Sequence, residues 1–96
     1  MKCRNKRKEY EFTFSGPTYD AIMYEKGKHM PQWADVHQKE RFDGMIVTVT
    51  TEVCKFGKRE CELKDGDYIV TDGCERHIFS HEAFLRCFEI VSRDDE

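Results

Sequence analysis

The stretch that decides the fold is Asp65–Phe79, "DGDYIVTDGCERHIF". Tyr68-Ile69-Val70 is a short apolar run that favours a buried strand. Gly66-Asp67 before it is a turn. Asp72-Gly73 after it is a strong hairpin signal, because glycine takes a positive φ at little cost. The stretch therefore reads as strand 68–72, a tight turn at Gly73-Cys74, and a return strand 75–79.

The same residues invite chemical readings, which geometry disfavours. Asp65-x-Asp67 begins like an EF-hand loop, but the third ligand position is Ile69 and the obligatory glycine position is Val70. Cys74-x2-His77-x3-His81 has zinc-like spacing, and Cys61 or Cys87 would complete a tetrahedron. On a strand, however, Cys74 and His77 point to opposite faces. No metal ligand and no cofactor is therefore assigned.

Downstream, Ser80 is a helix cap with Glu82 and Ala83 in the first turn, giving one or two helical turns. Cys87–Val91 closes as a strand, and 92–96 is a frayed acidic tail. Upstream, Met45–Val53 is β-branched and alternating, hence a strand. Phe56-Gly57-Lys58 turns the chain and Arg59–Leu63 returns, with a further turn at 64–67. Glu9–Phe14, "EYEFTF", alternates strictly and reads as a half-buried strand, stopped by Ser15-Gly16-Pro17. Thr18–Lys28 reads as a short helix, with Thr18 as cap, Ala21, Ile22 and Glu25 on one face, and Gly27 at the C′ position. Residues 28–43 are polar. Pro31 followed by "QWADVHQKE" points to a second short helix or an ordered loop, anchored by Trp33. A loop of this length is often functional. The expected fold is one α+β domain over 1–96, with a small antiparallel sheet of about four to five strands and one or two short helices.

Charge is unevenly placed. The 96-residue chain carries a formal net charge of −3, yet residues 2–8, "KCRNKRK", hold five cations and no acid, which leaves −8 for the rest. Such an arm contacts nucleic acid or an acidic partner, or merely solubilises an edge strand. Its aromatic content, seven Phe, four Tyr and one Trp, is too high for a disordered chain. Five cysteines, an odd number, in a chain with no apolar signal segment or bilayer-length apolar run point to reduced thiols and a cytoplasmic setting in a bacterial host. There is no nucleophile elbow, phosphate-cradling glycine loop or HExxH motif, so no enzymatic activity is expected. A ribonucleoprotein-type aromatic pair is also missing.

The C-terminal half resembles a family of small phage and prophage proteins of unknown function. The matching text is "GDYIV" at 66–70, Glu75, "EAF" at 82–84 and "FEIV" at 88–91; the opening "RNKRKEYEFTFSG" at 4–16 fits the start of the family. The chain departs from the family where Cys74 replaces a glycine, where His77, Ile78 and Phe79 replace an aromatic and Pro-Cys, and where His81 replaces a proline. The zinc-like residues thus lie off the family's positions. The resemblance implies a core strand at Tyr68–Val70 and a packing pair of Phe84 and Phe88, and it brings no established activity.

These readings converge on a non-enzymatic phage or mobile-element protein that binds a host or phage protein, for example as an inhibitor of a bacterial defence system such as CRISPR–Cas. The expected contact residues are Lys2, Arg4, Lys6, Arg7 and Lys8 of the arm, with Met30 and Trp33, and an exposed apolar patch around Trp33, Met30 and Met45. The alternative is an accessory module that binds nucleic acid through the arm or zinc through Cys74. An open sheet edge is compatible with homodimerisation. No membrane association is expected.

Overall fold

The computed structural model describes residues 1–6, 14 and 16–93. Within them lie eight strands, one α-helix and one 3-10 turn. In chain order these are β1 (Lys2–Asn5), β2 (Tyr19–Met23), the 3-10 turn (Gln32–Ala34), β3 (His37–Glu40) and β4 (Ile46–Cys54). There follow β5 (Gly57–Glu62), β6 (Tyr68–Thr71), β7 (Arg76–Phe79), α1 (His81–Cys87) and β8 (Phe88–Ser92). The strands form a single sheet in the order β3-β4-β7-β6-β2-β1-β8, with β5 also on β4, and every pairing is antiparallel. The expected α+β character holds, but the expected four to five strands are eight.

β6 is the centre. Tyr68, Ile69 and Val70 are all buried, because the sheet is covered on both faces. On one face, Tyr68 and Val70 join Cys3, Phe14, Tyr19, Ala21, Phe84 and Phe88. On the other, Ile69 joins Tyr24, Ala34 and Leu63, with Trp33, Met30, Ile22, Val36 and Ile78 packed around them. Helix α1 starts where Ser80 accepts a hydrogen bond from Ala83 N at 3.2 Å. It lays Phe84 flat on Tyr68, ring centroids 3.8 Å apart, and against Phe88 at 5.3 Å. The expected Phe84–Phe88 pair is present.

Three expectations are corrected. Thr18–Lys28 is not a helix: β2 occupies Tyr19–Met23, and Thr18 caps nothing. Tyr19 and Ala21 feed one core while Ile22 and Tyr24 feed the other. A strand buried on both faces loses its polar alternation, and its apolar spacing then imitates a helix. Gly27, at φ +84°, belongs to a turn. Of the two alternatives after Pro31, a second short helix or an ordered loop, the α-helix is absent: the segment holds a three-residue 3-10 turn, ended by Asp35 in the left-handed region at φ +54°. Beyond it His37–Glu40 is a fully exposed edge strand, recruited by backbone pairing to β4 without any apolar pattern. The β6–β7 connection is a four-residue loop, not a tight two-residue turn. Asp72 Oδ1 accepts from the backbone N–H of both Cys74 and Glu75 at 2.8 Å, and the Thr71 hydroxyl donates to Glu75 O at 2.6 Å. The strand expected at Glu9–Phe14 lies outside the described residues, apart from Phe14, which is in the first core.

One seam in the sheet is thin. Val49 pairs with both His37 and Glu62, so β3 and β5 flank β4 on opposite edges. Val53 pairs with both Lys58 and Arg76, so β7 takes over the edge that β3 leaves, and it does so through that single residue pair. Side chains close the rest. Arg76 donates to Thr51 O and Trp33 O at 2.8 Å each and lies 3.5 Å from Asp35. Buried Thr50 donates to Ala34 O at 2.5 Å. Among the described residues no helix is long and apolar enough to cross a membrane.

Candidate functional site

The described part of the basic arm, residues 2–6, is built into the fold. β1 lies between β2 and β8, and its cations meet the acids of those neighbours: Lys2 with Asp20 at 2.8 Å, and Arg4 with Glu89 at 3.1 Å. The Lys6 ammonium donates to Leu85 O at 2.7 Å. Arg7 and Lys8 lie outside the described residues. Met30 and Trp33 are partly buried against the second core. Met45 is strongly exposed.

The zinc-like residues are scattered. Cys74 precedes β7 and His81 follows it, so about 13 Å of strand separates them. His81 sits over Tyr68, ring centroids 5.7 Å apart. Both nitrogens of His77 face carboxylates: Nδ1 is 3.3 Å from Glu52, and Nε2 is 3.0 Å from Glu75. Glu52 is further held by Arg59 at 2.9 Å and by the Ile78 N–H at 3.3 Å. Both ring nitrogens are thus turned to carboxylates. No cluster of three or more His, Cys, Asp or Glu among the described residues is arranged to hold a metal ion. Burial pushes the Cys3 thiol up to about 12, which removes it as a nucleophile near neutral pH.

Two surface features stand out among the described residues. The first is the β3–β4 hairpin tip. Arg41 N donates to Met45 O at 2.7 Å, and Gly44 N donates to Arg41 O at 2.8 Å. Asp43 accepts from Met45 N at 3.0 Å and pairs with the Arg41 guanidinium at 3.3 Å. Gly44 lies at φ +87°, where a side chain would be strained. This network fixes the turn and leaves its apolar side chains in water: Phe42 is 105% exposed, Met45 59% and Ile46 58%. The sequence points to Met45 and to residues 28–43 but not to Phe42, whose neighbours Arg41 and Asp43 make the segment look only polar.

The second feature is a groove of about 730 Å³ running along β2, with Trp33, Pro31, Ile22 and Met23 among its walls. No protein-family model, curated protein or solved structure matches the chain.

Proposed function

We propose that this chain is a non-enzymatic phage or mobile-element protein that acts in the bacterial cytoplasm by binding a host protein, the target being a component of a defence system such as CRISPR–Cas. The observation that carries the binding reading is Phe42, held fully in solvent at a hydrogen-bonded turn beside Met45 and Ile46. An exposed aromatic on a fixed turn gives no folding stability to its own chain. It has the character of an interface anchor, because large side chains in pre-ordered positions bury area at little entropic cost. The resemblance of the C-terminal half to small phage and prophage proteins supports the biological setting. The pairing of Lys2 and Arg4 with Asp20 and Glu89 favours this reading over nucleic-acid binding through the arm.

The test is capture of partners from a bacterial lysate by tagged wild type and by Phe42→Ser/Met45→Ser, at low and high salt. A protein retained by wild type at high salt and lost by the double variant is expected. Replacing an anchor of this kind costs roughly 2 kcal/mol or more of binding, at least about a tenfold loss. Capture of nucleic acid alone, released by salt, or equal capture by both proteins, overturns the proposal. Phage infection of a defence-bearing host expressing either protein then tests the inhibitor role: wild type should restore plaques and the double variant should not.

A further inference from the structure

The β3–β4 and β4–β5 hairpins lie at opposite ends of β4, and their tips differ in chemistry. At 41–46 the Arg41 guanidinium is closed on Asp43 and Glu62, and three apolar side chains, Phe42, Met45 and Ile46, are exposed. The other tip reads "CKFGKR" at 54–59, with three cations and no acid. Cys54 pairs with Gly57, so Lys55 and Phe56 are the two residues of the turn. Phe56 is 95% exposed.

The charges around this ring are unevenly satisfied. Arg59 is held by Glu52 at 2.9 Å, and Glu60 by Lys39 at 2.6 Å. The ammonium groups of Lys55 and Lys58, on either side of Phe56-Gly57, meet no carboxylate among the described residues. The acids of the adjoining β6–β7 loop are engaged: Asp72 accepts from the N–H of Cys74 and Glu75, and Glu75 faces His77 at 3.0 Å. An open hollow of about 380 Å³ borders the ring, lined also by Cys54, Lys58, Arg59 and the Arg59-bound Glu52. A Cβ added at Gly57 would meet no atom within 4 Å, so the backbone there is bare.

This chemistry selects an occupant. A single exposed ring between two unpaired ammonium groups fits a nucleobase with a phosphate on either side. The core of a protein interface gathers several apolar side chains, as the 41–46 tip does and this one does not. A duplex hides the faces of its bases within the stack, so the ring can stack only on an unpaired strand.

We propose that the β4–β5 turn binds single-stranded nucleic acid, with Phe56 stacked on a base and Lys55 and Lys58 against the flanking phosphates. This goes beyond the host-protein reading and stands on separate residues.

The test follows the anisotropy of a labelled oligothymidylate mixed with the full chain over a range of salt concentrations. The competitors are a duplex of the same length, polyglutamate and phosphatidylserine vesicles. The single strand should bind more tightly than every competitor. Phe56→Ala should weaken binding about fivefold or more and leave the salt slope unchanged, because stacking on a base releases no counterions. Lys55→Ala/Lys58→Ala should lower the slope of log affinity against log salt by about 1.4, for two phosphate contacts at about 0.7 each. Arg7→Ala/Lys8→Ala in the arm and Phe42→Ser/Met45→Ser should retain wild-type affinity. Phe56→Ala should also leave capture of the host protein intact, so failure of one proposal is distinguishable from failure of the other. The proposal is overturned if the single strand does not bind or if any competitor binds as tightly. It is equally overturned if Phe56→Ala binds like wild type, if the double lysine variant keeps the wild-type slope, or if the arm variant loses as much affinity as the turn variants.

Discussion

Cys3 and Phe42 occupy opposite extremes of exposure, and each has a measurable consequence. Cys3 is fully buried in the first core. Burial, chiefly, raises its thiol to about 12 from the ordinary 9.0; the Met1 ammonium opposes the shift and Asp20 adds to it. The folded chain therefore keeps this proton when the unfolded chain has begun to lose it. Stability follows the state that binds more protons, so this contribution is whole below pH 9 and is lost as the pH rises from about 9 towards about 12. Urea denaturation at pH 8 and pH 10.5 should show a larger loss for wild type than for Cys3→Ala. A thiol reagent at pH 8 should modify exposed Cys54 and Cys74 and spare Cys3. At this scale the sequence was a partial guide. Five cysteines in one short chain suggested reduced thiols, but only the tertiary packing separates Cys3 from Cys74. Likewise Phe42 could not be told from a core phenylalanine, because exposure depends on what covers a residue and not on its type.

Among the elements, legibility followed local signals. The β4–β5 hairpin, the β6 strand, the Ser80-capped helix and β8 were readable because alternation, turn residues and caps all lie within a few positions of one another. β2 and β3 were not. β2 has two buried faces, and β3 has none, so neither shows the one-sided pattern that reading depends on. Both exist because a neighbouring strand supplies hydrogen bonds, which the sequence of the segment does not record. The β3–β4 hairpin now has a definite mechanical requirement in Gly44. A Cβ added there meets no atom within 4 Å, so Gly44→Ala tests conformation alone. The φ of +87° should make the alanine variant less stable by about 1 kcal/mol, and thermal unfolding should show the loss. The turn at 41–45 should loosen as well, weakening capture of the partner even though Phe42 is unchanged.

For the molecule as a whole, the seam between β4 and β7 divides the sheet. On one side are β3, β4 and β5; on the other are the central strands and helix α1. Among the described residues, backbone pairing of β4 with β7 is at Val53–Arg76, and Arg76, Glu52, Thr50 and Leu63 add side-chain connections. Arg76→Ala removes two hydrogen bonds to main-chain carbonyls and leaves Thr51 O and Trp33 O to find other donors. A loss of roughly 2–4 kcal/mol is expected, and hydrogen exchange should show amides of β3–β5 opening before those of β6. A side-chain seam also bears on how such a protein can change over time. Substitutions at the hairpin tip touch neither core, so the proposed binding surface is free to diverge while the double-sided centre of the sheet stays constrained. A lineage pressed to follow a shifting target would accumulate its differences at 41–46 and keep Tyr68, Val70, Phe84 and Phe88.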